Sequence, residues 1–105
     1  GCESDQGKVA ISYCKAIESG KLDKALSYLS KDARQALETL GGKKLLAEVG
    51  GKFKERKGIK SIKITKEIVK DKKAAVELLY IFNDGSKFVD NFPLVKEDGK
   101  WKISN

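Results

Sequence analysis

Asp90 is the carboxylate whose neighbours could give it chemistry. Counting by twos along an extended chain places Phe88, Asp90 and Phe92 on one face. A carboxylate between two phenylalanines loses hydration, which raises its pKa and makes it a plausible proton acceptor in a cavity. Two plainer readings fit the same residues: a β-bulge near Asn91, or an Asp90 at the open rim of a sheet that meets a lysine. The remaining catalytic inventory is thin. The chain contains no histidine, which removes the usual proton shuttle, the commonest metal ligand and every serine-histidine or cysteine-histidine nucleophile. No glycine-rich segment has the spacing of a phosphate loop or dinucleotide fingerprint. Neither a metal nor an organic cofactor is expected.

Two cysteines are too few for a disulfide scaffold or a zinc site. Cys14 shares an apolar helical stripe with Ala10, Tyr13 and Ile17 and reads as a buried small hydrophobe, with a reactive thiol as the alternative. Cys2 stands at the start, ahead of the polar run Glu3, Ser4, Asp5, Gln6, Gly7. That arrangement resembles the tether of a bacterial lipoprotein cut at its lipobox cysteine. The resemblance implies lipidation of Cys2, membrane association through that lipid and an exported, cell-envelope location. Gly1 is then the small residue before the cut or a remnant of a trimmed sequence, and the lack of any methionine reads the same way.

The 105 residues suit one domain. The net charge of +7 comes from 20 lysines and only Arg34 and Arg56, against 15 carboxylates. Base readout and bidentate phosphate binding favour the planar arginine fork, so no nucleic-acid partner is expected. A mild attraction to an anionic lipid surface fits lysine equally well. The longest apolar run, Leu78 to Phe82, is far too short to cross a bilayer.

The elements that must position these residues follow from periodicity. Residues 1–7 read as a flexible tether and 8–105 as the domain. Apolar residues recur at helical spacing in Lys8–Ser19 and in Leu22–Leu29. They do so again in Lys31–Leu40, capped by Ser30 and turning Ala33, Ala36, Leu37 and Leu40 inward. Lys43–Lys57 is helical through Leu45, Leu46, Val49 and Phe53, with a kink or fraying expected at Gly50 and Gly51. Its cluster Lys52, Lys54, Arg56, Lys57 and Lys60 reads as a solvated face. After Gly58 the period changes to two. A first strand carries Ile62, Ile64 and Ile68. The second, Lys73–Phe82, is apolar on both faces, and Lys87–Lys96 and Lys100–Ser104 complete the set. Turns at Asp71–Lys72, Asn83–Ser86 and Asp98–Gly99 make the sheet a meander. The fold class is α+β, three to four N-terminal helices packed on a curved four-stranded antiparallel sheet.

The closing hairpin Asp98, Gly99, Lys100, Trp101, Lys102, Ile103 and the linker Ser19, Gly20, Lys21, Leu22, Asp23, Lys24, Ala25, in this order of elements, resemble the nuclear transport factor 2-like (cystatin-like fold) superfamily. The nearest likeness is to its small bacterial lipoproteins of unknown function and lumazine-binding-like members. The resemblance implies a curved sheet wrapped around the first helix with a conical cavity between sheet and helices. Fold alone selects no activity in this superfamily. Ketosteroid isomerase, one of its members, uses an aspartate base beside tyrosine and protonated-aspartate donors, and none of Tyr13, Tyr28 and Tyr80 can be matched to those donors.

Within such a fold Tyr13, Tyr80, Phe88, Asp90, Phe92 and Trp101 are the pocket candidates, and packing of the core is the competing role for the aromatic ones. Leu79, Ile81, Val89 and Val95 share the other sheet face, an apolar patch from which a sheet-to-sheet homodimer is expected. The function expected is a non-enzymatic envelope lipoprotein domain binding a small apolar ligand or a protein partner. The alternative is an isomerase- or lyase-like enzyme with Asp90 as general base.

Overall fold

The computed structural model describes residues 4–105; Cys2 and its expected lipid lie outside them. Helix α1 spans Asp5–Glu18. It starts three residues before the expected Lys8 because Ser4 caps it, the hydroxyl accepting from the Gly7 N–H at 3.0 Å, with Asp5 in the first turn complementing the helix dipole. Asp5, Gln6 and Gly7, expected in the flexible tether of residues 1–7, are helical, and residues 1–3 lie outside the described residues.

Helix α2 covers only Leu22–Ser27. The next residues peel away into a strap: Tyr28 O accepts from Ile103 N, and Ser30 N donates to Ile103 O, each at 2.8 Å. Ser30 then turns the chain into α3, Lys31–Leu40, its hydroxyl accepting from Ala33 N at 3.1 Å. Leu40, expected inward, is 71% exposed; it ends the helix against Gly41 with no element packed over it. Helix α4, Lys43–Glu55, runs unbroken through Gly50 and Gly51, so the expected kink is absent. Gly50 has a packing reason. A Cβ there would lie 3.0 Å from the Ile17 carbonyl oxygen, so the bare glycine lets α4 settle directly on α1.

The remaining chain is a four-stranded antiparallel meander ordered β1 (Ile59–Lys70), β2 (Lys73–Phe82), β3 (Lys87–Glu97) and β4 (Lys100–Ile103). Asp98 and Gly99 both adopt positive φ, 52° and 77°, the conformation a tight two-residue hairpin requires. Register between β2 and β3 is unbroken from Lys73↔Val95 to Ile81↔Lys87, which removes the bulge considered near Asn91. The irregularities are in β1, between Ile59 and Ser61 and between Ile64 and Lys66. The second reverses the strand's parity. Ile62 and Ile64 stand opposite the inward Tyr80 and Leu78, whereas Ile68 stands opposite the outward Ala75. Ile68 was expected to share a face with Ile64; it is instead 69% exposed.

The inner face of the sheet supplies Val76, Leu78, Tyr80, Phe82, Phe92 and Leu94, and α1 lays Ala10, Cys14 and Ile17 across it. Leu78 and Ala10 are fully buried. Among the described residues no buried side-chain nitrogen or oxygen lacks a hydrogen-bond partner, and no helix is long and apolar enough to cross a membrane.

Candidate functional site

The inward parity of β2 and β3 brings Tyr80 opposite Phe88 and Leu78 opposite Asp90. Tyr80 and Phe88 stack with parallel rings, centroids 5.9 Å apart. Helix α4 approaches from above, and Phe53 packs against Tyr80 at 5.8 Å and Phe82 at 5.9 Å. One turn along, Arg56 sets its guanidinium 5.0 Å from the Phe82 ring centroid, a cation–π contact. Between α4 and the sheet lies a cavity of about 400 Å³ lined by Val49, Lys52, Phe53, Arg56, Tyr80, Phe82, Phe88 and Asp90. Two larger depressions, of about 520 and 540 Å³, lie at the β3–β4 hairpin end among lysines and turn residues. No buried ionisable group opens into either, so the smaller cavity is the candidate site.

A polar chain forms its floor. Cys14 Sγ lies 2.9 Å from Tyr80 Oη, and Tyr80 donates to Asp90 Oδ2 at 3.3 Å. The phenol has one proton, and an ionised carboxylate can only accept. The order is therefore thiol to phenol to carboxylate, with the thiol donating. Burial pushes the Cys14 thiol up to about 12, against a smaller opposing pull from Tyr80. Burial also raises Tyr80, followed by the proximity of Cys14, and pushes Tyr13 up to about 12. Desolvation raises Asp90 too, opposed by hydrogen bonds from the Asn91 N–H, at 2.9 Å, and from Tyr80. At neutral pH the thiol and phenols are neutral, which leaves Asp90 as the accepting end of the chain. Among the described residues it has no ion-pair partner, although Lys52 and Arg56 line the same cavity.

Of the expected pocket residues, Tyr80, Phe88 and Asp90 come together here. Phe92 and Tyr13 do not line the cavity; they meet edge to face at 6.1 Å in the adjoining wall. Trp101 is elsewhere, in the groove with Val9 and Tyr28, under the Lys96 ammonium at 5.3 Å. Its position follows from β4, which pairs only with the far end of β3.

The contribution of α4 was missed from sequence. Val49 and Phe53 are one helical neighbour pair and Lys52 and Arg56 another, so a spacing of four inside the cluster read as a solvated face was the available signal. Cys14, expected as a buried small hydrophobe or a reactive thiol, is buried and also hydrogen-bonded to Tyr80. The outer face places Leu79 opposite Val89 and Ile81 opposite Lys87, while Val95 stands at the other end, opposite Lys73. Glu77 and Asn91 lie between, so the four apolar residues form two separate groups.

Comparison with known proteins accords with this geometry. Residues 1–104 match the model of the family described as Domain of unknown function (DUF4878), and the chain belongs to that family. No curated protein matches it. Among solved structures it is similar to a Campylobacter jejuni protein described as a candidate NTF2-like transpeptidase, with a TM-score of 0.83 and 24% identity over 97% of this chain and 99% of that one. It is similar to a de novo designed NTF2 fold protein, with a TM-score of 0.60 and 18% identity over 100% and 87% of the two chains. A cystatin fold protein from Novosphingobium aromaticivorans has a TM-score of 0.55 and 16% identity over 98% and 97%. At these identities the likeness is one of fold: four helices followed by a curved antiparallel sheet, the nuclear transport factor 2-like architecture. A designed protein shares it, so the architecture by itself specifies no ligand.

Proposed function

We propose, starting from that family membership, that this domain is a non-catalytic binding module whose α4 cavity takes a small, largely apolar molecule carrying one acidic group. The observation that carries this reading is the cavity itself. Its volume of about 400 Å³ suits a small molecule. Phe53, Tyr80, Phe82 and Phe88 offer the ligand's body an aromatic wall, while Lys52 and Arg56 offer an anionic group a counter-charge. Asp90 is left for a hydrogen-bond donor on the buried end.

Anilinonaphthalene sulfonate has an aromatic body and one anionic group and serves as a probe. Its fluorescence should rise on titration with the protein. Phe88→Ala should weaken binding about tenfold, the loss of one stacking ring. That ring is 48% exposed, so its removal spares the core. Undiminished binding by Phe88→Ala, with the fold intact by circular dichroism, would overturn the proposal.

The second reading, an isomerase- or lyase-like enzyme, draws on the desolvation that raises the Asp90 carboxyl and makes it a better base. Against it, the single Tyr80 proton already goes to Asp90, so the tyrosine cannot also donate to a developing enolate as an oxyanion-hole donor would. Turnover of cyclic ketones that disappears in Asp90→Asn would establish this reading, and turnover equal in both proteins would end it.

Two further parts of the proposal concern location and assembly. Export and anchoring through Cys2 would appear as a diacylglyceryl adduct in the intact mass of protein taken from its native membrane; an unmodified Cys2 would refute it. A homodimer through Leu79, Ile81 and Val89 would sediment as such at micromolar concentration.

A further inference from the structure

We propose that the tip of the β1–β2 hairpin is a docking surface for an anionic lipid bilayer. Ile68 and Val69 are neighbours on opposite faces of β1, yet they are 69% and 51% exposed. The register shift near Thr65 turns Ile68 outward, and Val69, opposite the inward Ala74, is left half exposed. Around them Lys66, Lys70, Lys72 and Lys73 are all exposed, and none forms an ion pair among the described residues. The two nearby carboxylates oppose this charge weakly. Glu67 is engaged by the Ser4 hydroxyl and by Gln6 Nε2 at 3.1 Å, and Asp71 sits in the turn with a positive φ of 56°.

An exposed apolar pair ringed by unpaired ammonium groups matches a bilayer interface, where side chains enter the headgroup boundary and cations meet anionic headgroups. The charges are lysines, which act as hydrated point charges and need no bidentate geometry; that suits a fluid anionic surface better than a folded acidic partner. A second copy of the same tip would set lysine against lysine. Ser4 is bonded to Glu67 beside this tip, and Cys2 precedes Ser4 by two residues, a reach of at most about 7 Å of chain. A lipid on Cys2 would hold this same tip against the membrane. The surface does not depend on that lipid, and the test excludes it.

Full-length Cys2→Ser protein is sedimented with vesicles of equal parts phosphatidylglycerol and phosphatidylcholine, and with phosphatidylcholine alone. Partition should appear on the anionic vesicles alone and weaken as salt rises. Replacing Lys70, Lys72 and Lys73 together by glutamine should weaken it about 100-fold, since each well-placed lysine contributes roughly fivefold. Replacing Lys15, Lys21 and Lys24, on the helical side, removes the same charge and should weaken it no more than about threefold. Ile68→Ser with Val69→Ser should cost about tenfold and leave the melting temperature unchanged. Equal partition onto neutral vesicles, or equal losses from the two lysine triples, would overturn the proposal. So would tip-dependent binding of polyglutamate without binding of vesicles, which would assign the surface to an acidic protein.

Discussion

Strand β2 joins two regions that differ in every physical respect. At its C-terminal end Tyr80 and Phe82 lie under α1 and α4, nearly inaccessible, with polar atoms linked into one chain from thiol to carboxylate. At its N-terminal end Lys73 emerges beside Ile68 and Val69, with apolar groups exposed and the lysines forming no ion pair among the described residues. Large apolar side chains stand at both ends. The reach of the helical layer makes the difference, because the sheet is longer than the helices that cover it. Ionisable groups follow: under cover a carboxylate is desolvated and raised, whereas in the open lysines stay solvated.

The sharpest test truncates one side chain at each end. Leu78→Ala, under α1, should cost about 2–5 kcal/mol in urea unfolding. Ile68→Ala should stay within about 0.5 kcal/mol. Similar losses would mean that the tip is covered after all. A smaller effect concerns how closely α4 sits. Gly50→Ala presses a methyl toward the Ile17 carbonyl and should destabilise by about 1–3 kcal/mol. At Gly51 nothing lies within 4 Å of an added Cβ, so Gly51→Ala should stabilise by up to about 1 kcal/mol through helix propensity.

The smallest effects are in pH. Cys14 and Tyr13, ordinarily at 9.0 and 10.0, are both pushed up to about 12. The folded chain therefore holds these protons more tightly than the unfolded one. The stability this confers is complete below about pH 9 and is lost as pH climbs toward 12. In a Cys2→Ser background, thermal melts should show this alkaline loss, and Cys14→Ala should reduce it. A thiol reagent at pH 8 should label Cys14 only after denaturation. Rapid labelling of the native protein would show that the cover opens. Asp90 follows the same sign at lower pH: burial raises its carboxyl above 3.8, so ionisation costs stability as pH rises past that value. Asp90→Asn should then melt slightly higher than the parent at pH 7 and equally at about pH 3.

How much of this could be read from the sequence follows the range of each signal. The change of hydrophobic period near Gly58 located the boundary between helices and sheet, and Asp98–Gly99 located the last hairpin, because both are local signals. Counting by twos placed Phe88 and Asp90 on one face correctly, since the β2–β3 register is unbroken. The same count failed for Ile68, because the register shift near Thr65 adds a residue to one strand that no residue type there announces. The early start of α1 was carried by Ser4, a cap just before the visible apolar stripe. Phe53 and Arg56 entered the site through the approach of α4 to α1, which depends on the missing side chain of Gly50 and the position of Ile17. No window of sequence contains both.

The strap of Tyr28–Ser30 has a consequence for self-association. By occupying the Ile103 N–H and C=O it fills the end of β4, where another polypeptide would otherwise add as a further strand. The opposite border, β1, is interrupted twice and carries Lys60, Lys63, Lys66 and Lys70. Fibrous growth by strand addition needs two compatible borders on every molecule. With Ile103 engaged at one border and the other interrupted and charged, the two borders do not match, which disfavours amyloid-like stacking.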